Sequence, residues 1–375
     1  MNRRVVHITT VHRPRDPRIY YKEVATLASA GYDVHLIAQG EPGLENRAIA
    51  DVGAKVHQLE SSGRSLLHRA ARIREAAGLA RALSADVYHI HDPELIPLLR
   101  RLKRATGAFT IYDMHEDYAG RGRLSDRFIR GAELRSFRWL DHVVLADEAY
   151  EPIVADRNVG WTVVQNYPLR PLVQPLSRAR LPRDPFRLVY TGVVARSRGL
   201  FELIKLGAAI RDAGLNWTID IVGVCHDGSA AAARAEIARL SLESVVRPTG
   251  WESYVDMRIM EEHLQQAHVG LIPLHSLPNY RSVMPTKLFE YLQFGLPVVA
   301  PSFPRIRSFV EANRIGAGVD PVDTGALLAV LIDWYRDREK YEALSAASLA
   351  TSASYRWELA GARLLSAYQG LAVSG

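Results

Sequence analysis

An α/β fold with two doubly wound parallel sheets is what this chain predicts, and three observations carry it. The chain opens on a strand–helix–strand unit: Arg4 to Thr10 as strand, Ile19 to Ala30 as helix ending at Gly31, Val34 to Ala38 as strand. A second unit of the same order starts at Phe186, FRLVYTGVVARSRGLFELIKLGAAI, and continues into WTIDIVG. Between them Tyr167 to Pro185 holds five prolines and little periodicity, the mark of a linker. The expected division is 1–166, a linker at 167–185, 186–354, and a terminal helix over 355–375. Two such domains facing across a cleft offer a common kind of ligand site.

Composition narrows the class. At 375 residues there is room for two domains of ordinary size, and 48% hydrophobic with 23% charged residues reads as globular. Cys225 is the single cysteine, so an intramolecular disulfide and a cysteine-based metal site are excluded. The apolar run at the N-terminus breaks too early for a signal peptide, and no run approaches a membrane span. A cytoplasmic location is the expectation. The net charge of +6 is concentrated: Arg64 to Arg138 holds 15 Lys/Arg against 9 Asp/Glu, and the remainder balances. Such a region suits an anionic membrane surface at the inner face, or solvated helix faces. Nucleic acid is set aside, because the basic stretches lack interleaved aromatics and a binding motif.

Taken in order, the first strand leads into VHRPRDPRI, with Arg13, Arg15, Asp16 and Arg18 at the strand's carboxyl end, where doubly wound sheets bind ligands. The glycine-rich fingerprint is missing, which argues against a nicotinamide cofactor. Val56 to Leu59 reads as a strand and Leu66 to Ser84 as a basic helix. A strand to Ile90 then meets His91-Asp92-Pro93 and a helix to Arg104. FTIYDMHEDY follows as a strand ending in Asp113, His115, Glu116 and Asp117. His89, His91 and His115 raise zinc, but their spacing is not a helical i, i+4 pair and the neighbouring acids can act without metal. Val143 to Leu145 is a buried strand, and Val163 to Pro168 the last of the first domain. In the second domain Gly192 ends a strand and Gly199 opens a helix. Arg196 and Arg198 between them suit a pyrophosphate.

The stretch richest in chemistry is Asn279 to Pro301, NYRSVMPTKLFEYLQFGLPVVAP. Pro285 and Thr286, after Met284, read as a helix start with a hydroxyl cap, and Gly295 as the stop. Leu288, Phe289, Tyr291, Leu292 and Phe294 cover most of that helix, leaving Lys287 and Glu290 on one narrow polar strip. A helix start with a lysine suits a phosphate, and a carboxylate one turn on suits a vicinal diol such as ribose. A surface Lys–Glu pair is the competing reading.

P-x-K-x-x-E-Y followed by G-x-P-V-V resembles the donor-binding helix of the retaining GT-B glycosyltransferases of family 4. HIHDPEL, YDMHEDY and DPRIYYKE are similar to the N-domain motifs of its polysaccharide-type members. The resemblance implies two Rossmann-like domains, with Glu290 on the ribose, the start of the helix on the diphosphate, and His91 beside the donor sugar. It further implies uridine as the usual base, a last helix crossing back to the first domain, and reaction on one face of the sugar without metal or other cofactor. VVRPTGW resembles the strand before the base-binding loop, with Trp251 able to stack there. Departures are Ser282 where many members have Glu, Val193 where a basic residue is usual, and Pro14 and Asp16 where a glycine pair is common. The expected function is transfer of a sugar from a nucleotide diphosphate to a hydroxyl of a glycan, lipid-linked or small-molecule acceptor, with Asp16 holding that hydroxyl. A sugar-nucleotide epimerase, using His91 with Glu116 or Asp117, and a non-catalytic binding partner are the alternatives.

Overall fold

Short Val- and Ile-rich runs form the central strands and are buried along nearly their whole length, as expected of a parallel sheet covered on both faces, whereas the edge strands are only partly buried. The computed structural model describes residues 2–40, 52–61, 63, 65–115, 131–178 and 181–373. It divides into residues 1–166 with 357–375, the first unit, and residues 167–356, the second.

The first unit holds β1 (Arg4–Ile8), β2 (Asp33–Gln39), β3 (Lys55–Leu59), β4 (Val87–Ile90), β5 (Phe109–Met114), β6 (His142–Leu145) and β7 (Gly160–Val163). All pair in parallel in the order β3-β2-β1-β4-β5-β6-β7. The order reverses at β1/β4, which opens a crevice at their carboxyl ends. The expected helix from Ile19 begins instead as a π turn, Ile19–Val24, with the Glu23 amide donating to the Arg18 carbonyl at 3.0 Å, before α1 (Ala25–Ser29). Such turns are frequent at functional sites. Helix α2 (Leu66–Leu83) is capped by Ser65, and α3 (Ile96–Thr106) ends on Gly107 at φ 72°. Right-handed crossovers from β3 to β4 and from β4 to β5 put α2 and α3 on the same face of the sheet. A short α4 (Glu151–Val154) precedes β7, which ends at Val163, where the sequence pattern had placed the start of that strand.

The second unit holds β8 (Phe186–Thr191), α5 (Leu200–Asp212), β9 (Trp217–Val222), α6 (Ala230–Arg239), β10 (Val246–Thr249), α7 (Met257–Gln266) and β11 (Val269–Leu271). After these come α8 (Pro278–Ser282), α9 (Thr286–Gln293), β12 (Val298–Pro301), α10 (Pro304–Ala312), β13 (Gly316–Val319), α11 (Thr324–Arg336) and α12 (Arg338–Ser352). The parallel order is β10-β9-β8-β11-β12-β13, with its reversal at β8/β11. Phe186, Tyr190, Trp217, Trp251 and Trp334 lie in one apolar core. The proline-rich stretch is packed against this unit. Tyr167 meets the Phe289 ring at 5.0 Å, and the Glu261 carboxylate accepts the Leu172 and Val173 amides at 2.6 and 2.9 Å.

The last helix, α13 (Trp357–Val373), belongs to the first unit. Trp357 Nε1 donates to Thr26 at 2.9 Å, and Tyr368 Oη lies 2.8 Å from His89 Nδ1. No helix among the described residues is long and apolar enough to cross a membrane.

Candidate functional site

In the second unit the loop after β8 and the start of α9 converge at the sheet's reversal point. Tyr291 locks them together: its hydroxyl accepts the Thr191 amide at 3.0 Å and lies 3.3 Å from the Leu271 carbonyl. Gly199, at φ 83°, carries the loop into α5, and a Cβ there would run into the Pro273 carbonyl oxygen, so glycine is required. Between Gly192 and Gly199 the chain makes one tight turn over Arg196–Arg198. Arg196 is exposed, with its guanidinium 4.2 Å from the Phe201 ring centroid; Arg198 is half-buried, 5.5 Å from that of Tyr280.

Lys287 is the unusual member. It is buried, and its Nζ has no hydrogen-bond partner. The amine sits 3.5 Å from the centroid of the Tyr190 ring, and a Cβ on Gly192 would come within 3.7 Å of it. Burial first, and the Arg198 charge next, hold its pKa well below the usual lysine range; Glu290 acts in the opposite sense. A buried donor left unmade costs about 1–3 kcal/mol. Beside it, α9 starts at Thr286 without a side-chain cap, so its first N–H groups are open to an anion. An amine, the Arg198 guanidinium and a helix start thus lie together, an arrangement that suits linked phosphates, with the exposed Arg196 on the same turn as Arg198. Met284 is nearly buried, Pro285 half-buried and Glu290 half-buried on the next turn.

In the first unit the loops after β1, β4 and β5 are tied by side chains. Asp92 accepts the Thr10 amide at 2.6 Å and the Thr9 hydroxyl at 3.0 Å. Asp16 caps the turn at Ile19: Oδ1 accepts the Arg18 and Ile19 amides at 2.9 and 3.1 Å, while Oδ2 lies 3.0 Å from His12 Nδ1. Burial, which works against ionisation, is outweighed by the His12 hydrogen bond and charge and by the Ile19 amide, so Asp16 is lowered to about 2. Arg18 grips Asp113 through two bonds, 2.9 and 2.7 Å, at the end of β5. Asp113 Oδ2 also takes His91 Nδ1 at 3.2 Å and His115 Nδ1 at 3.1 Å, and His115 Nε2 meets His12 Nε2 at 3.0 Å. The chain Asp16–His12–His115–Asp113 thus links two carboxylates through two imidazoles. Glu23, wholly buried, is raised well above the carboxylate range by burial first and by Asp113 next, against the pull of Arg18.

Comparison with known proteins fits this geometry. The pattern of the glycosyl transferase 4-like domain matches residues 20–167, and that of the glycosyl transferases group 1 matches residues 185–337. The chain belongs to the group 1 glycosyltransferases. A curated relative, D-inositol 3-phosphate glycosyltransferase 1 of Catenulispora acidiphila, is 26% identical over 199 residues, 52% of this chain and 47% of that protein. The chain thus matches about half the length of this relative. Among solved structures, sucrose-phosphate synthase from Thermosynechococcus elongatus superposes with a TM-score of 0.80 at 16% identity, covering 100% of both chains. Anabaena HepE, crystallised with UDP and glucose, superposes at 0.75 with 12% identity, covering 98% of this chain and 100% of that one. These two share the GT-B fold with this glycosyltransferase.

Three residues expected at the site, Trp251, His91 and Thr286, sit differently from the sequence reading, and the competing surface pair is excluded. Trp251 is a core residue: it is 1% exposed, its Nε1 donates to the Ile221 carbonyl at 3.0 Å, and its ring packs in the core. His91 does not present its ring. At 1% exposure it spends Nδ1 on Asp113 and Nε2 on His7, 3.0 Å away, whereas His115 lies nearer the surface. Thr286 is the first helical residue and makes no cap; Pro285 holds the cap position. Lys287 and Glu290 do not form a surface pair, because Lys287 is interior. Glu116 lies outside the described residues. The sequence reading did not single out His12, and it named Arg18 and Tyr291 without the bonds they make. His12 and Arg18 stand two and eight residues after the strand-end Thr10, in the loop at a strand's carboxyl end where doubly wound sheets place site residues.

Proposed function

We propose that this group 1 glycosyltransferase is a retaining, metal-independent enzyme that moves a sugar from a nucleotide diphosphate, UDP by preference, to a hydroxyl acceptor. The observation that carries the reading is the buried amine of Lys287 with no partner of its own, beside Arg198 and an uncapped helix start. The hard part of the chemistry is departure of a dianionic leaving group from the anomeric carbon, and preorganised charge aimed at that group is the largest rate term. Lys287, Arg196, Arg198 and the first N–H groups of α9 supply it, with Glu290 accepting the ribose hydroxyls. Three side-chain cations match the charge of the diphosphate, so the reading needs no ion. The UDP in the HepE structure supports uridine as the base.

The acceptor side is read in the first unit. Asp16 and His115 flank the β1/β4 crevice and are linked through His12, an arrangement suited to orienting a hydroxyl as the leaving phosphate takes part in its deprotonation. His91 holds Asp113, and so His115, in place. A lipid-linked acceptor and a cytoplasmic, membrane-peripheral location fit the basic region.

Calorimetric titration of UDP, GDP, dTDP and ADP into wild type and Glu290→Ala tests this. One nucleotide is expected to bind and to lose about 1–3 kcal/mol in the variant, the cost of hydrogen bonds to a charged group. Absence of binding by every nucleotide to the wild type overturns the reading. Turnover of donor with no acceptor present would turn it towards the epimerase.

A further inference from the structure

Tyr190 joins the two arms of the candidate site in the second unit. It lies in β8, two residues before Gly192, and is 1% exposed. One face of its ring carries the Lys287 amine, with Nζ 3.5 Å from the ring centroid. The hydroxyl reaches the other arm: it donates to the Val193 carbonyl at 2.5 Å, on the loop that leads into the Arg196–Arg198 turn. Burial raises the Tyr190 pKa, with the Arg198 charge pulling the other way, so the hydroxyl keeps its proton and remains a donor. The ring is held in place from the neighbouring helix. The next amide, Thr191, donates to the Tyr291 hydroxyl at 3.0 Å, and Tyr291 sits one turn after Lys287 on α9. A Cβ on Gly270 would come within 2.2 Å of the Tyr291 ring, so that side chain has little room to shift.

An aromatic face is an unusual seat for an interior lysine. Buried charges are ordinarily paired and hydrogen-bonded, yet Nζ here has no hydrogen-bond partner. The charged and titratable groups around it are Arg198 from the turn, which opposes its charge, Glu290 from its own helix, which favours it, and Tyr190 from β8. A carboxylate in the place of the ring would neutralise the amine and compete with an incoming diphosphate. A ring face attracts the ammonium form through its quadrupole and takes none of its charge away. The amine then meets the phosphates with its charge uncancelled and its donors unspent.

Resting on the donor reading above, we propose that Tyr190 is a positioning residue for the nucleotide diphosphate: its ring face seats the Lys287 amine beside the start of α9, and its hydroxyl fixes the arginine turn next to it. Tyr190 also belongs to the apolar core of this unit. Core filling needs the size of the ring but neither its electron density nor its hydroxyl, and that difference is measurable.

The test is calorimetric titration of the full-length protein with UDP, or with whichever of the four diphosphates the wild type binds, from mildly acidic to alkaline pH. Tyr190→Phe keeps the ring and loses the hydroxyl. It is expected to weaken binding by about threefold to tenfold and to leave the pH profile as in wild type. Phenylalanines of increasing fluorination, incorporated in place of Tyr190, keep the shape and drain the ring face of electron density. Affinity is then expected to fall step by step, by about tenfold or more in total. The loss of binding with rising pH should move to lower pH, because the amine gives up its proton more readily. Urea midpoints are expected to stay close to that of Tyr190→Phe through the series, since the shape is kept. In a Lys287→Met background the series should be flat. A flat series with Lys287 present, a steep one in its absence, or wild-type affinity in Tyr190→Phe overturns the proposal. Failure of the wild type to bind any diphosphate removes the donor reading and this role with it. Wild-type binding that is indifferent to every change at Tyr190 removes the positioning role alone.

Discussion

At the scale of single residues, Lys287 sets stability against function. Its depressed pKa means that the folded protein disfavours the charged amine, a penalty present in full below the folded pKa. As pH rises from there towards 10.5 the unfolded chain holds more protons than the folded one, so stability increases with pH through that window. Lys287→Met is expected to flatten this slope and to stabilise the unliganded protein by about 1–3 kcal/mol, measured by urea unfolding across pH, while weakening nucleotide binding. A bound diphosphate favours the charged form of the amine. Nucleotide binding should therefore take up protons, seen as a heat that changes with the ionisation enthalpy of the buffer, and Lys287→Met should remove that dependence. The sequence made Lys287 and Glu290 legible, because a helix otherwise apolar leaves few places for them. It did not make the burial of Lys287 legible, since periodicity reports which residues share a strip and not how deep the strip lies. Trp251 erred for the converse reason: a tryptophan after a strand can point into either environment, and the packing of Ile221 and its neighbours decided.

At the scale of elements, the loops are held by devices that differ between the two units. In the second, backbone shape does the work. Gly199→Ala puts a Cβ on a left-handed residue against the Pro273 carbonyl and is expected to destabilise by about 1–3 kcal/mol, and to weaken nucleotide binding by displacing Arg196 and Arg198. In the first unit, buried charge does it. Asp113 is held well below the carboxylate range: burial opposes this, and the charge and hydrogen bonds of Arg18 outweigh it. Its stabilising contribution is present above the usual carboxylate pKa and is lost as pH falls through the folded value. Glu23 has the opposite sign, since its raised pKa makes the folded protein lose stability as pH rises above about 4.5 towards the folded value. Asp113→Asn should therefore lower stability at neutral pH by about 3–5 kcal/mol, the cost of stripping a buried cation of its partner, while Glu23→Gln should preserve or raise it. Urea midpoints of the two variants check the pair of signs. Strands and crossovers were legible from Val- and Ile-rich runs, but the π turn at Ile19–Val24 was not, because its apolar spacing is compatible with an ordinary helix.

At the scale of the whole chain, the first unit is not continuous in sequence. Helix α13 follows the entire second unit yet packs on α1 and places Tyr368 against His89 in the interior of the first sheet. A chain truncated after Arg356 is expected to lose hydrogen-exchange protection in β1 and β4 while the second unit keeps its own, a difference that mass spectrometry of the two proteins would read. The five prolines made the boundary near Tyr167 legible, whereas the amphipathic tail alone did not say which unit it would cover. The same discontinuity governs synthesis. The first 166 residues leave the ribosome without the piece that closes them, and the 190 residues of the second unit must be translated in between, roughly 10–40 s at about 5–20 residues per second. During that interval the apolar groove awaiting α13 is open to chaperones and to neighbouring nascent chains, while the unit made later is free to finish folding first.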